Sequence, residues 1–261
     1  MKAGCSLALL LCALLAGCSW YDVNVYKHPN PYTEPAVTVV AVAPFLFTEK
    51  TVDLQYPFDL NGLETADGRY LKFSVDIAQQ FAQELAQFQG FTVIPPADVV
   101  TAWKAGIREG EEMNPLAGAE GARALARKLK ADAIVVAEVR SYDPYEYPRL
   151  ELAWQMLYVG ERRTGEAEIR RLERMGAGRP FPLGTDLARY PLYAADDVVD
   201  CQNDMTRREL KHYASGLTDE ATGYASEEEM IRKEPWPRYF RFASWLALQR
   251  AFEYEQVREK K

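Results

Sequence analysis

The chain has 261 residues, with 38 acidic against 31 basic side chains and a formal net charge of −7. That balance excludes nucleic acid and anionic lipid as bulk electrostatic partners, which need a basic surface. Hydrophobic residues make up 48%, enough for a sizeable core in one large domain or a domain with an appendage.

Lys2 precedes an apolar stretch from Ser6 to Ala16. The stretch is too short to span a hydrocarbon core, which takes roughly 20 apolar residues, and it suits a secretory signal. Leu15-Ala16-Gly17-Cys18 resembles the lipobox of bacterial lipoproteins at each of its four positions. The resemblance implies diacylglyceryl transfer to the Cys18 sulfur, cleavage before Cys18, and acylation of the new amino group. Two buried acyl chains suffice for a lasting tether, and a triacylated cysteine exceeds that. Ser19, rather than Asp, follows the cysteine. Under the sorting rule of enteric lipoproteins this implies the outer membrane, facing the periplasm. A plain cleaved signal and a retained transmembrane helix are the alternatives. Removal of residues 1–17 leaves 244 residues at a formal charge of −8, because Lys2 is the only charge lost. Cys5 and Cys12 leave with the signal, so Cys201 stands alone. No intramolecular disulfide and no cysteine-based zinc cluster is then available.

Residues 18–35 read as the lipidated N-terminus and a linker rich in Pro and Tyr. The 17 residues from Ser19 to Pro35 reach about 55 Å when fully extended. "AVTVVAVAPF", Ala36 to Phe45, reads as a central strand buried on both faces. Leu46 to Arg69 is polar and irregular, and its length as a loop makes it notable. Tyr70 to Gln89 is the clearest helix: Phe73, Ile77, Phe81, Leu85 and Phe88 recur at steps of four and three. Gly90 stands where a C-terminal cap is expected, and "FTVIPP" follows as a short strand. Strand, helix and strand together predict a right-handed βαβ crossover.

Asp98 to Ile107 predicts a short helix with Val99, Ala102, Trp103 and Ile107 on one side. Gly118 to Lys130 predicts another, with Ala122, Leu125, Ala126 and Leu129 apolar. Ala131 to Asp143 reads as a second buried strand. Arg149 to Val159 alternates and predicts a half-buried strand antiparallel to it. Glu161 to Arg174 allows a helix or an exposed hairpin, and Arg179 to Pro191 reads as loop. Asp196 to Leu217 predicts a helix started by Asp196-Asp197, which would hold Cys201 as a small half-buried apolar side chain. The C-terminal helix carries Phe240, Phe242, Ala243, Trp245, Leu246 and Phe252 over a wide arc, so it is expected to be well buried. Residues 258–261 are expected to fray. The expected fold class is α/β: a mixed, largely parallel twisted sheet (36–159) flanked by helices, with a mainly helical C-terminal extension (160–261).

"VVAVAPF", "QGFTVIPPADVVTAW" and "ARKLKADAIVVAEV" resemble, in order and spacing, the periplasmic α/β domain of envelope lipoproteins. Examples are the curli secretion lipoprotein, the lipoprotein activators of penicillin-binding proteins, and the N-terminal domain of the Tol-system propeller protein. The resemblance covers about Ala36 to Val159. It implies a mixed sheet used for protein contacts rather than catalysis, with a protein of the envelope as partner. A secretion pore would need paired amphipathic hairpins, and only Arg149 to Val159 alternates. The short linker departs from a long-reach activator.

His28 lies in the linker and His212 in a late helix, where each reads as structural. No nucleophile elbow, zinc-protease motif or phosphate loop occurs, and no cofactor or metal is expected. Asp196, Asp197 and Asp200 read first as a solvated helix start. They are also the carboxylates, with those of Leu46–Arg69, from which a hydrolase of envelope polymer could be built. Glu227-Glu228-Glu229 reads as a solvated run. "SYDPYEYPRL" joins two predicted strands and is stiffened by Pro144 and Pro148. Tyr142, Tyr145, Tyr147 and Arg149 are its candidate partner contacts, since rigid tyrosines present large area at low entropy cost. The alternative is that these rings pack over the sheet edge, with Arg149 paired to Glu146 or Asp143.

Overall fold

The structure is a computed structural model and describes residues 26–47, 69–144, 147–162, 164–175, 180–181, 189–215, 231 and 238–259. Cys18 and the leader, residues 48–68, Tyr145 and the Glu227–Glu229 run lie outside the described residues. No helix among the described residues is long and apolar enough to cross a membrane.

The β-branched run forms β1 (Val39–Val42), and its pairing explains its composition. It lies between β3 (Thr92–Ile94) and β4 (Ala133–Asp143), parallel to both, with Val40 beside Val93 and Ala41 beside Ile134. A strand covered on both faces has no use for polar alternation. A short β2 (Leu46–Phe47) also pairs with β4 in parallel. Beyond β4 the sheet turns antiparallel: β5 (Arg149–Tyr158) follows by hairpin, and β6 (Tyr193–Asp200) pairs along β5. The order is β3-β1-β4-β5-β6, with β2 beside β4.

Among the described residues six helices flank the sheet: α1 (Arg69–Gln87), α2 (Pro96–Arg108), α3 (Ala119–Lys128), α4 (Glu166–Met175), α5 (Asp204–Ser215) and α6 (Phe240–Glu259). Helices α1, α5 and α6 cover one face. There Ile77, Phe81, Leu85 and Phe88 meet Val40, Val42, Val135 and Trp154, joined by Phe242, Trp245 and Phe252. Each such side chain contributes about 1.5–3 kcal/mol on burial. Helices α2 and α3 cover the other face, setting Val99, Trp103, Ala122 and Leu125 against Ala41, Ile134 and Val136. The mixed α/β class expected from the sequence is the one observed.

The strand starts are pinned by one side chain. The Asp132 carboxylate accepts from the Thr38 N–H (2.9 Å), the Val39 N–H (2.8 Å) and the Thr38 hydroxyl (3.0 Å). Burial opposes its charge, but these three donors outweigh it and hold the carboxyl below its ordinary range. At the end of α1, Gly90 takes a φ of +93°, which favours glycine. A Cβ there would stand 2.9 Å from the Asn30 Cβ.

Six expectations need correction, the last at Arg258. First, Asp196 does not start a helix: residues 193–200 form the edge strand β6, and α5 starts only at Asp204. The acidic pair was a misleading signal, because its two members belong to opposite faces of a strand rather than to a cap. Second, Cys201 therefore lies in the turn after β6, where it is buried beside the Tyr239 hydroxyl. Third, β5 is buried on both faces from Leu152 to Leu157, because β6 places it inside the sheet. Its alternating Gln155 is satisfied by donating to the Phe181 carbonyl at 2.8 Å. Fourth, Ile107 is 45% exposed rather than on the buried side of α2. Fifth, the chain is docked from Tyr26 onward rather than from Ala36. Tyr32 is buried against Phe252 (6.3 Å between ring centres), and Asn30 donates to the Gly90 carbonyl at 3.2 Å. The charged stretch 161–174 resolves as helix α4. Arg258 is held by Glu255 (2.7 Å) and Glu168 (3.2 Å) instead of fraying.

Candidate partner-contact surface

Among the described residues, α2 and α3 cover their face of the sheet over the beginnings of the parallel strands. Along β4, Ile134 and Val136 are buried under these helices, whereas Glu138 and Arg140, which follow on the same face, reach solvent. A register shift between Val139 and Ser141 marks a bulge at Arg140. Such bulges re-aim a side chain at the end of a ladder. Across the sheet the pairing Asp143–Arg149–Asp200 and the pairing Ser141–Glu151–Val198 carry the same face outward.

Two arginines organise the surface. Arg140 Nη1 lies 2.7 Å from Asp196 Oδ2, and its Nε lies 3.5 Å from Glu138 Oε2. Arg149 Nη2 lies 2.6 Å from Glu151 Oε1, and its Nε lies 3.9 Å from Asp200 Oδ2. Burial raises the Glu138 carboxyl above its ordinary range, although Arg140 opposes the shift. Ion pairs this open contribute about 0–1 kcal/mol each, so they hold the surface in order without committing it to one arrangement. Val198 is 45% exposed among them, and Tyr147, at the hairpin, is 36% exposed.

The four hairpin residues singled out by the sequence separate. Arg149 lies at this surface, and Tyr147 is exposed at the hairpin within electrostatic range of Arg207 on α5. Tyr142 belongs to the opposite face, where its ring meets Phe240 at 5.4 Å and Tyr239 at 6.5 Å. Burial, and then Asp143, push its phenol above the ordinary range. Tyr145 lies outside the described residues. Arg149 pairs with Glu151 and Asp200, and cross-strand register sets it between Asp143 on β4 and Asp200 on β6, while Glu146 lies outside the described residues.

Of the carboxylates considered for hydrolysis, those of Leu46–Arg69 lie outside the described residues, and Asp196, Asp197 and Asp200 do not converge on one point. Asp196 pairs with Arg140 on the open face. Asp197 is buried on the other, accepting from Trp154 Nε1 at 2.9 Å with Arg250 at 3.3 Å. Burial raises Asp197 above the ordinary carboxylate range, although Trp154 and Arg250 oppose the shift. Asp200 accepts from the Gln202 N–H at 2.8 Å. Among the described residues no group of three or more His, Cys, Asp or Glu could hold a metal. His28 is held by Gln256 and Glu253, and the His212 ring lies 6.1 Å from Trp245.

Sequence reading missed Glu138, Arg140, Glu151, Asp196, Val198 and Asp200 as one surface. The signal was present as charges at even steps along a strand, two apart at Glu138 and Arg140 and at Arg149 and Glu151, and four apart at Asp196 and Asp200. It needed β6 to be recognised as a strand.

A second polar centre lies inside. Glu84 is fully buried on α1 and accepts from the Tyr26 hydroxyl (2.7 Å), the Tyr213 hydroxyl (3.1 Å) and Arg241 Nε (2.7 Å). It joins the N-terminal segment to α1, α5 and α6.

No protein-family model and no curated protein matches the chain. Solved structures do. The C-terminal domain of LpoB from Salmonella enterica aligns with 67% of this chain and 98% of its own length, at 14% identity and a TM-score of 0.30. Lipoprotein GNA1162 from Neisseria meningitidis aligns with 62% of this chain and 80% of its own, at 14% identity and a TM-score of 0.27. The hypothetical protein CT253 from Chlamydia trachomatis aligns with 85% of this chain and 94% of its own, at 14% identity and a TM-score of 0.30.

Proposed function

We propose that the chain is a lipid-anchored envelope protein whose α/β domain acts as a non-catalytic adaptor or assembly factor at the outer membrane, facing the periplasm. Cys18 is the anchor, on the strength of Leu15-Ala16-Gly17-Cys18. The observation that carries the contact role is the uncovered, charge-laced end of the sheet around Arg140, Arg149 and Val198, beside Tyr147. Its carboxylates are engaged in ion pairs across strands instead of converging on a cleft, which suits recognition rather than proton transfer. The partner is an envelope protein, and the acidic excess of the surface favours one that brings basic side chains.

The test joins anchor and surface. A photo-crosslinking residue at Val198 or Tyr147 should capture a discrete envelope protein, whereas one at Ile107 should not. Replacing Cys18 with Ala should release the protein from the membrane fraction and abolish capture. Capture from Ile107 alone would overturn the surface assignment. Unchanged membrane association of the Cys18→Ala protein would overturn the anchor.

A further inference from the structure

We propose that the sheet accepts an added strand at β6: an extended segment of the partner, with basic side chains on either side of an apolar one, pairs along the free edge at Asp196 and Val198. Strand addition rests on the contact role proposed above and specifies the segment that makes it.

The ladder decides which groups the edge offers. β6 is the last strand of the sheet and pairs with β5 on one side. Register sets Arg149 beside Asp200, so Pro148 stands opposite Cys201, and the Cys201 N–H donates to the Pro148 carbonyl at 3.1 Å. Residues that exchange such bonds alternate along an antiparallel pair with residues that do not. Val199, Asp197 and Ala195 therefore turn their N–H and C=O toward β5. Asp200, Val198 and Asp196 turn theirs to the free edge. The far end of the pair agrees: the Leu192 N–H donates to the carbonyl of Met156 at 2.8 Å, so Met156, like Pro148, faces β6. Both ends of the edge are closed. Ala194 is buried with Leu172 of α4 and Tyr190, and the Asp200 carbonyl accepts from the Asn203 N–H at 3.0 Å. Between them the outward N–H and C=O groups of Asp196 and Val198 have no hydrogen-bond partner among the described residues.

An open edge is a template for any extended chain, and the side chains beside it select which. Asp196, Val198 and Asp200 share one face at alternate positions, with Val198 45% exposed between the two acids. A second copy adding its own β6 antiparallel, centred on Val198, would set Asp196 against Asp200 twice, and like charges directly opposite are destabilising. A segment with Lys or Arg in those two places and a valine or isoleucine between them meets both acids and covers Val198. Main-chain bonds then supply affinity, and alternate side chains supply specificity. Arg140, 2.7 Å from Asp196 Oδ2, already holds that carboxylate from the β4 side.

The test uses the full lipidated chain in cells, with a photo-crosslinking residue at Val198 and the captured segment sequenced by mass spectrometry. That segment should carry Lys or Arg at alternate positions around an apolar residue. Asp196→Pro removes the outward N–H and spares the β5 ladder, since Pro is tolerated where the N–H faces away from the sheet. Asp196→Ala removes the same carboxylate and keeps the N–H. Capture should fall on the order of tenfold in Asp196→Pro, and about threefold or less in Asp196→Ala. Equal losses in the two variants overturn strand addition and leave the contact surface standing. An acidic segment, or a second copy of the chain, overturns the basic occupant. Absence of any capture at Val198 overturns the contact role, and strand addition with it. Amide hydrogen exchange on the purified, unaltered full chain needs no variant to fold: the Asp196 and Val198 amides should exchange faster than those of Asp197 and Val199, on the order of tenfold or more. Equal protection of all four overturns the open edge.

Discussion

The buried carboxylate of Glu84 is the point at which the fold is most exposed to a single change. Glu84→Ala leaves two phenol hydroxyls and the Arg241 guanidinium without their acceptor. Removing one partner of a buried charge pair costs about 3–5 kcal/mol. The Arg241 side chain is 37% exposed and regains water, which places the loss near the lower end, about 3 kcal/mol. For a chain of this size that corresponds to a melting temperature lower by about 6–12 °C. Glu84→Gln keeps the shape and one acceptor, and loses about 1.5 kcal/mol, the low end for hydrogen bonds to a charged group. Urea midpoints at pH 7 measure both. A second readout is local: trypsin should cut after Lys27 faster in Glu84→Ala, because Tyr26 loses its fastening. A double-mutant cycle with Tyr26→Phe should show coupling of about 1 kcal/mol. If Glu84→Ala unfolds within about 0.5 kcal/mol of the unaltered chain, a range ordinary for surface changes, Glu84 is not the joint described above.

Gly90→Ala should lose about 1–2 kcal/mol, from a positive φ that disfavours a Cβ and from the collision with Asn30, read as a lower urea midpoint together with faster cleavage at Lys27. Trp154→Phe should cost about 1–3 kcal/mol by stripping a donor from buried Asp197; Asp197→Asn in the same background should recover part of it, again read by urea unfolding. Burial raises Glu255 despite Arg258 and Arg171, so its folded form holds the proton better than its unfolded form. The stability it supplies is therefore full below the ordinary carboxylate range and is lost as pH rises through the folded value. Urea midpoints from pH 4 to 8 should show the unaltered chain losing ground to Glu255→Gln as pH rises, and the opposite slope would contradict the assignment. Arg140→Ala, with two open ion pairs, should change stability by about 1 kcal/mol or less, yet weaken partner capture at Val198.

The parallel half of the sheet was legible in the sequence because each of its elements is held by one dominant force. The run at Val39–Val42 has no polar face to offer, and Phe81 to Phe88 stand on one side of a helix with glycine after it. The antiparallel edge was not legible. Tyr-Ala-Ala-Asp-Asp-Val-Val-Asp contains adjacent acids, which suggested a helix start. A strand tolerates them only because Asp197 finds Trp154 and Arg250 on one face and Asp196 finds Arg140 on the other. Those partners lie 40 or more residues away, beyond any local pattern. The same holds for the segment Tyr26 to Pro35, whose tyrosines and prolines read as linker. Its composition is that of an extended chain, but Tyr26 and Tyr32 are also large enough to complete a core left open between α1 and α6.

That last point links the fold to the anchor. With the lipid proposed at Cys18, a linker ordered only from Ala36 would let the domain range about 55 Å from the bilayer. Docking Tyr26, His28 and Asn30 on α1 and α6 uses hydrogen bonds and ring contacts for a second purpose: the stretch between Cys18 and the docked chain shortens to the seven residues 19–25. The seam at Glu84 therefore contributes to more than stability. Weakening it by Glu84→Ala or Gly90→Ala should lengthen the stretch ahead of the docked domain, read as faster trypsin cleavage after Lys27 in both variants, and cleavage as slow as in the unaltered chain would refute this link.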